Sequence, residues 1–430
     1  MRKAGIKHTA GMTRVLALIL VLLTAGCTRN APAASDGAVT TEAHTANTDA
    51  PQEAASSENS AQTNDTSLTA TTQDSPQDTE AEQLAALSEA VAGDAYTLMC
   101  EIASSFPDRD SFAKESGHDD SAEYIVTSLL SAGYDETQIT RQRFDESEGV
   151  AAIPEGCNIV LTLTGKRTDL QIVAGAHYDG NGAGDNASGV ALLLSAARSL
   201  SGITPDVTVH FVFFDQEEID LLGSRAYVKA MTEEEKSATL FMINLDALVF
   251  GDYCHIYGGM TEKGSGLVTG TEGYEKAAAR ARALGIAVMG PKDLDGYYET
   301  HGRGPVPDDH CLYTNPWTAA HPAPSEAIYE DLVVYSPSTV PMSDHVHFAL
   351  SGIPCIYFEA TNWFAAGDNP HLAYTGYYET TDTSLGDHGM FMKTEHDTLE
   401  NMNTLFPGRA QAHFELYAPL LLSLLLHPSD

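Results

Sequence analysis

The sequence predicts an α/β fold, in which a mostly parallel mixed sheet lies between two layers of helices in a three-layer α/β/α domain. Short apolar runs recur along the chain, and such runs are typical of strands that are buried on both faces of a parallel sheet. Helix-like runs alternate with them from about Leu84 to Asp430. This alternation of strands and helices favours a single α/β/α domain over that range.

The period of the apolar residues places the individual elements along the chain. Two runs that alternate apolar and polar residues predict half-buried strands over residues 138–144 and 158–163. Four continuous apolar runs predict buried strands over residues 171–176, 207–214, 240–245 and 354–358. Helical periodicity predicts helices over residues 84–104, 121–132, 190–200, 221–231 and 274–284. Residues 289–341 lack periodicity and are rich in Gly, Pro, Asp, His and Tyr, so we expect a long functional loop that forms a pocket wall or a lid.

The amino-terminal segment is typical of an exported protein rather than of a folded domain. Residues 1–26 combine a short basic start, an apolar run and small residues, as a secretory signal does. Cys27 resembles the lipobox cysteine of bacterial lipoproteins, which implies acylation and a membrane anchor; the alternative is an ordinary cleaved signal that ends near a cysteine. Residues 27–83 are acidic and nearly without large apolar side chains, which predicts a disordered, extended tether. The folded domain is then expected over residues 84–430.

The balance of charges argues against nucleic acid as a partner. The chain has 60 acidic and 23 basic residues, a net charge of −37, and most of that charge lies outside the tether. Binding to phosphates would need a basic surface instead. The six cysteines show no C-x-x-C spacing, so we expect neither a zinc ribbon nor a disulfide framework.

Three groups of polar residues follow successive predicted strands, and each group alone has an ordinary explanation. A His-x-Asp pair is often satisfied locally at a strand end, adjacent glutamates suit the start of a helix, and an aspartate after a strand is a common N-cap. Open α/β sheets bind ligands at the carboxyl ends of their strands, so the joint occurrence predicts a divalent metal site. The groups are His177, Asp179 and Asp185; Glu217 and Glu218; and Asp246.

These residues lie in motifs that resemble peptidase family M28, the zinc aminopeptidases typified by enzymes of Vibrio and Streptomyces. The motifs are H-Y-D-G with G-A-G-D-N-A-S-G, F-F-D-Q-E-E-I-D-L-L-G-S, N-L-D, and S-D-H-V-H-F-A-L-S-G-I-P. The resemblance implies a zinc exopeptidase fold and the removal of amino-terminal residues from peptides. The roles that it implies are zinc ligation by His177 and Asp246, bridging of two zinc ions by Asp185, ligation of the second zinc by Glu218, general base catalysis by Glu217 and orientation of His177 by Asp179.

The chemistry of these side chains agrees with the implied roles. Zinc accepts histidine nitrogen and carboxylate oxygen, and a catalytic site keeps one position open for water. A histidine that binds metal usually donates its second ring N–H to a carboxylate, which suits Asp179. The surrounding acids would also favour the free α-amino group of a peptide substrate. Cobalt or manganese would fit the same carboxylate-rich set of donors.

Lys393 departs from the family pattern near the end of the chain. The family closes its second metal site with a histidine in a pattern like H-T-x-x-D-T, whereas the matching segment here is K-T-E-H-D-T. A protonated lysine cannot bind zinc, so we expect its ammonium to pair with Glu218 and Asp185 in place of the second ion. Three outcomes remain open: a single zinc held by His177, Asp185 and Asp246; a substitute ligand, His396 or His388; or the loss of catalysis.

Two alternatives to hydrolysis therefore stay open. One is a pseudopeptidase that binds peptides without cleaving them. The other is a relative of the glutaminyl cyclases, which share the fold, although Lys393 disrupts the position at which they bind a single zinc. Asp344 and His345 of the S-D-H segment are candidates for the pocket or for a structural role. The histidines of the long loop are expected at its surface; they are His301, His310 and His321.

Overall fold

The computed structural model describes residues 76–112, 117–146, 153–262, 265–322, 334–364, 379–382, 384–385 and 389–429. The chain separates into two units, Met1–Thr71 and Thr72–Asp430, and the described residues all belong to the second. The predicted signal, Cys27 and most of the predicted tether lie outside them. No helix in the described ranges combines the length and apolar character that crossing a membrane requires.

Nine of the described strands form one mixed sheet. The strands are β1 (Ile139–Phe144), β2 (Gly156–Leu163), β3 (Arg167–His177), β4 (Val207–Phe214), β5 (Thr239–Leu245), β6 (Tyr253–Tyr257), β7 (Met260–Thr261), β8 (Val268–Thr269), β9 (Ala287–Met289), β10 (Cys311–Tyr313) and β11 (Cys355–Thr361). The order across the sheet is β1, β2, β4, β3, β5, β11, β6, β10, β9, while β7 and β8 pair separately. Five of its eight pairings are parallel and three are antiparallel.

Helices cover both faces of this sheet. They are α1 (Pro76–Ser105), α2 (His118–Ser131), α3 (Ala187–Ser199), α4 (Leu222–Ala230), α5 (Glu233–Ala238), α6 (Glu272–Ala283), α7 (Pro291–Leu294), α8 (Tyr297–His301), α9 (His345–Leu350), α10 (Leu399–Leu405) and α11 (Arg409–Leu426). Successive strand residues alternate between the two faces. Ala174 and Ile243 therefore join the larger core with α1, α3 and α11, whereas Val173 and Met242 pack with α4 and α9 on the other face. The predicted three-layer α/β/α fold with a mostly parallel mixed sheet is confirmed.

Two of the predicted boundaries need correction. Helix α1 begins at Pro76, so residues 76–83 are helical although the sequence analysis assigned them to the disordered tether. Proline is common at the first position of a helix, and Pro76 occupies that position. Residues 289–341 are also not one long loop, because α7, α8 and the sheet strand β10 lie within them. These elements have three to five residues each, too few for a recognisable period.

Candidate metal centre

Three neighbouring strands bring the predicted residues to one edge of the sheet. His177 is the last residue of β3, and β4 and β5 flank that strand. Glu217 and Glu218 follow the end of β4, and Asp246 directly follows β5. Because the three strands are parallel, their carboxyl ends meet at this edge, where α/β sheets bind ligands.

His177 lies at the centre of the cluster and is buried. Its Nε2 atom lies 3.1 Å from Oδ1 of Asp185, 3.3 Å from Oδ1 of Asp246 and 4.0 Å from Oε2 of Glu217. Potential ligand atoms of His177, Glu217 and Asp246 all lie within 4.8 Å of one another, whereas Asp185, which also pairs with Lys393, is not in this group. A histidine nitrogen among carboxylate oxygens is the donor set that zinc prefers in catalytic sites, so these residues fit a metal ion.

Asp179 holds the other side of the imidazole. Nδ1 of His177 lies 3.2 Å from the backbone oxygen of Asp179 and 3.4 Å from its Oδ1 atom. These atoms only accept hydrogen bonds, so Nδ1 donates to Asp179, and Nε2 is the ring nitrogen that faces the cluster and could bind a metal ion after losing its proton. The same carboxylate accepts hydrogen bonds from the backbone N–H groups of Glu217, at 3.1 Å, and Glu218, at 3.2 Å. Asp179 thus connects the first two polar groups found in the sequence.

Asp246 is fixed by donors from β11 and from the S-D-H segment. Its Oδ2 atom accepts a hydrogen bond from Oγ of Ser343 at 2.8 Å and from the hydroxyl of Tyr357 at 3.3 Å. The other oxygen, Oδ1, is the one that faces His177. A carboxylate held in this way presents one defined oxygen to a metal ion.

The electrostatics of the cluster favour a bound cation. Burial opposes protonation of His177, but the carboxylates of Glu217, Asp246, Asp179 and Asp185 outweigh it and raise the pKa of His177 well above its usual value. Burial also raises the pKa of Glu217 well above the usual range for a glutamate. A carboxylate with a raised pKa accepts a proton more readily, as a general base must.

Lys393 forms the two ion pairs that the sequence analysis predicted for it. Its Nζ atom lies 2.8 Å from Oδ2 of Asp185 and also pairs with Oε2 of Glu218. Glu218 therefore faces the ammonium, and the compact group of ligand atoms around His177 does not include it. Burial opposes the charge on Lys393, but these two carboxylates raise its pKa well above the usual value. The ammonium thus remains charged in the position expected for a second ion.

Two buried residues that the sequence analysis missed support the loop that carries Asp185. The carboxylate of Asp397 accepts hydrogen bonds from the backbone N–H groups of Gly184, at 2.6 Å, and Asp185, at 2.9 Å. A side chain at position 182 would collide with this carboxylate, so the close approach of Asp397 requires a glycine there. Arg109 donates to the backbone oxygens of Phe106, at 2.7 Å, and Gly182, at 2.8 Å. Asp397 lies in the K-T-E-H-D-T motif and was accessible to sequence analysis, whereas Arg109 lies in no motif.

The remaining candidates lie at different distances from the centre. Asp344 and His345 are buried, and the ring of His345 stacks on Tyr357 with 4.8 Å between centroids. Burial raises the pKa of Asp344 to about 7 and lowers that of His345 to about 4. His396 does not belong to the ligand group found among the described residues, and His388 lies outside them. His301 and His310 are exposed and His321 pairs with Asp295 at 2.8 Å.

A cleft of about 540 Å³ opens beside the ion pairs of Lys393. Its walls include Asp185 and Glu218 from the metal centre and Phe112 from the segment after α1. Phe112 is one of the few large apolar side chains that are exposed in the described ranges. The cleft leads from solvent to the edge of the buried cluster.

Known proteins that are similar to this chain include aminopeptidases. Residues 158–316 match the family described as peptidase family M28. The chain is 39% identical to aminopeptidase YwaD of Bacillus subtilis over 85 residues, 19% of this chain and 18% of that protein. It is 38% identical to the probable lipoprotein aminopeptidase LpqL of Mycobacterium tuberculosis over 96 residues, 21% of this chain and 19% of that protein.

The matches to these two relatives span less than a fifth of their own length. A glutaminyl cyclase of an Acidobacteriales bacterium shares the fold, with a TM-score of 0.50, 15% identity and coverage of 79% of this chain and 96% of that one. The matched residues contain the clusters around His177, Glu217 and Asp246 and end before Lys393. Over residues 158–316 the chain is therefore similar to peptidase family M28.

Proposed function

We propose that the chain is a metal-dependent aminopeptidase that removes amino-terminal residues from peptides. The observation that carries the proposal is the buried imidazole of His177, which faces the carboxylates of Asp185 and Asp246 at 3.1 and 3.3 Å. The match to peptidase family M28 over residues 158–316 and the relatives named aminopeptidases support the same reaction. Zinc fits these donors, and cobalt or manganese would fit them as well.

Each residue of the centre has a separate role in the proposed hydrolysis. Zinc held by His177, Asp185 and Asp246 would act as a Lewis acid on the scissile carbonyl and lower the pKa of water. Glu217 takes a proton from the attacking water and passes it to the leaving amine. A C–O bond forms at the carbonyl carbon and the C–N bond breaks, so one water molecule is consumed for each amino acid released. Asp179 keeps His177 in the tautomer that leaves Nε2 free.

We propose that the site holds one metal ion. Lys393 supports this because its ammonium pairs with Asp185 and Glu218, the two carboxylates that the family resemblance assigns to the second ion. A second ion would need both of these carboxylates and would lie where the ammonium lies, so the two positive charges would repel each other. Asp185 would then contact a single metal ion through one oxygen while its other oxygen, Oδ2, pairs with Lys393.

The substitution Glu217→Gln tests the mechanism. The amide keeps the size of the side chain but cannot take a proton, so we expect kcat to fall by roughly 10²- to 10⁴-fold. The measurement is the hydrolysis of a panel of aminoacyl fluorogenic amides by the zinc-loaded protein. Zinc content, measured in parallel, should stay at the wild-type value because the proposed ligands are unchanged.

Glu233→Gln is the matched control, since Glu233 is an exposed residue of α5 and its substitution removes the same charge. This variant should retain wild-type activity. Undiminished hydrolysis by Glu217→Gln would show that Glu217 is not the general base.

A peptide-binding protein without catalysis is the second candidate, and Lys393 is the observation that favours it. No turnover of any amide by the wild-type protein, together with tight binding of peptides, would support this candidate over the peptidase. Release of ammonia from peptides that begin with glutamine, without cleavage of the chain, would instead indicate a cyclase.

We also propose that the protein is exported and anchored by a lipid at Cys27. The relative named a lipoprotein aminopeptidase supports this location. Cys27→Ala should abolish incorporation of radioactive palmitate and move the protein from the membrane fraction to the soluble fraction. Cys100→Ala, which removes a free thiol from α1, should change neither result. Full labelling of the Cys27→Ala variant would rule out the anchor.

A further inference from the structure

The metal centre is part of a longer row of residues that crosses the sheet. Phe358 of β11 pairs with Leu245 of β5, so the next residues, Glu359 and Asp246, lie side by side. On the other side of β11, Glu359 pairs directly with His255 of β6. Adjacent strands are about 4.8 Å apart, so Glu359 lies opposite Asp246 on the neighbouring strand, on the side away from His177.

Glu359 and His255 are buried and each has an acceptor atom without a partner. Glu359 is 4% exposed and His255 is 0% exposed. Within the described residues, neither Oε2 of Glu359 nor Nε2 of His255 has a hydrogen-bond partner. Nδ1 of His255 donates to the backbone oxygen of Tyr253 at 2.9 Å, so Nε2 is an acceptor. Unsatisfied buried acceptors are rare because each costs free energy. A ligand group that donates several hydrogen bonds could satisfy both Oε2 of Glu359 and Nε2 of His255.

The surroundings of Glu359 suit a cation. The rings of Tyr257 and Tyr357 lie on the same face of the sheet, 5.7 Å apart, and His255 stacks on Tyr257 at 5.3 Å. The hydroxyls of Tyr257 and Tyr357 lie within hydrogen-bonding reach of the Glu359 carboxylate. Aromatic rings attract cations, so a cation bound here would interact with the rings as well as with the carboxylate.

The other side of the metal centre repels a cation. The ammonium of Lys393 lies there, held by Asp185 and Glu218 at the edge of the 540 Å³ cleft. A substrate's α-ammonium would meet a like charge on that side and, on the other, a carboxylate whose Oε2 atom has no partner among the described residues. The open cleft is then the place for the rest of the peptide, and the buried side is the place for its amino terminus.

We propose that Glu359, assisted by His255, binds the free α-ammonium of the substrate and so makes this site specific for amino termini. The inference rests on the proposed function, because it assumes that an amino-terminal residue occupies the metal centre. The ammonium would donate hydrogen bonds to Oε2 of Glu359 and Nε2 of His255.

Binding of two alcohols that cannot be hydrolysed tests the inference. Leucinol carries the amine, and 4-methylpentan-1-ol has the same carbon skeleton without it. The full-length, zinc-loaded protein should bind leucinol more tightly, and Glu359→Gln should reduce that preference by roughly 10- to 100-fold, as expected for a charge-assisted hydrogen bond. Affinity for 4-methylpentan-1-ol should not change. Glu275→Gln is the matched control, because Glu275 is exposed on α6 and its substitution removes the same charge.

His255→Phe provides a second variant, since it keeps a flat ring but removes the acceptor. It should also lower the preference for leucinol, and circular dichroism and zinc content identify any variant that fails to fold. An unchanged preference in both folded variants would overturn the inference. A selective loss of lysinol binding, with leucinol unaffected, would overturn it as well, because Glu359 would then recognise a side chain.

The two proposals fail in different ways. If the wild-type protein prefers leucinol through Glu359 but hydrolyses no amide, the proposed function is wrong and the ammonium site stands. If the protein hydrolyses amides but Glu359→Gln does not change the preference for leucinol, the ammonium site is wrong and the proposed function stands.

Discussion

Three non-glycine residues around the metal centre have left-handed backbone conformations. The φ angle is 56° at Gln216, 51° at Ala247 and 61° at Lys393. Each such residue costs about 1–2 kcal/mol relative to the right-handed form. Gln216 precedes Glu217 and Ala247 follows Asp246, so the turns lie where strands β4 and β5 end and the chain must change direction. Strain of this kind is typical of functional sites, where the surrounding structure holds it in place.

The variant Lys393→His tests the replacement of a metal ion by an ammonium. We expect the wild-type chain to bind one equivalent of zinc and the variant to bind two, because a neutral imidazole would join Asp185 and Glu218 as a ligand instead of repelling the ion. The measurement is elemental analysis after equilibration with buffered zinc, which does not depend on activity.

Lys229→His is the matched control, since Lys229 is an exposed residue of α4 that pairs with Glu146. The Lys229→His variant should still bind one equivalent of zinc. Two equivalents of zinc in the wild-type protein would show that Lys393 does not exclude the second ion.

At the scale of residues, the sequence predicted those that belong to recognisable motifs. His177, Asp185 and Asp246 converge as expected, since each follows a strand with a clear apolar pattern. Glu359 was not predicted, because it lies in no motif. Its possible role depends on which residues of the neighbouring strands lie beside it, and the sequence does not show them. The roles of all these residues stay predictions until variants are measured.

At the scale of elements, the long apolar strands were predictable and the short ones were not. Strands β3, β4, β5 and β11 contain the predicted runs almost completely. Strands β9 and β10 have three residues each, so tertiary contacts rather than local pattern determine them. Strand β6 has five residues and was also missed.

The position of β11 explains why the longer row could not be found from the sequence. β11 is the last described strand of the chain, yet it lies between β5 and β6 in the middle of the sheet. Its pairing is parallel to β5 and antiparallel to β6. Residues far apart in the chain become neighbours only through this arrangement, and an apolar pattern does not encode strand order.

At the scale of the whole molecule, the acidic centre lies at the edge of a large apolar core. The core includes Val91 and Met99 of α1 and Leu420 of α11, elements from both ends of the described chain. Helix α1 is followed by Arg109, which holds the loop around Gly182 beside the metal centre. The buried guanidinium of Arg109 thus connects the end of α1 to the loop beside the metal centre.

This arrangement predicts that zinc stabilises the whole fold. A ligand that binds only the native state adds RT ln(1 + [L]/Kd), about 2.7 kcal/mol at a free concentration of 100 Kd. For a domain of this size we expect the thermal midpoint to rise by about 2–4 °C when zinc is restored to chelator-treated full-length protein. His177→Ala should lose the shift, whereas His321→Ala, which changes a histidine paired with Asp295 at the surface, should keep it. An equal shift in the His177→Ala variant would mean that zinc acts elsewhere on this acidic protein.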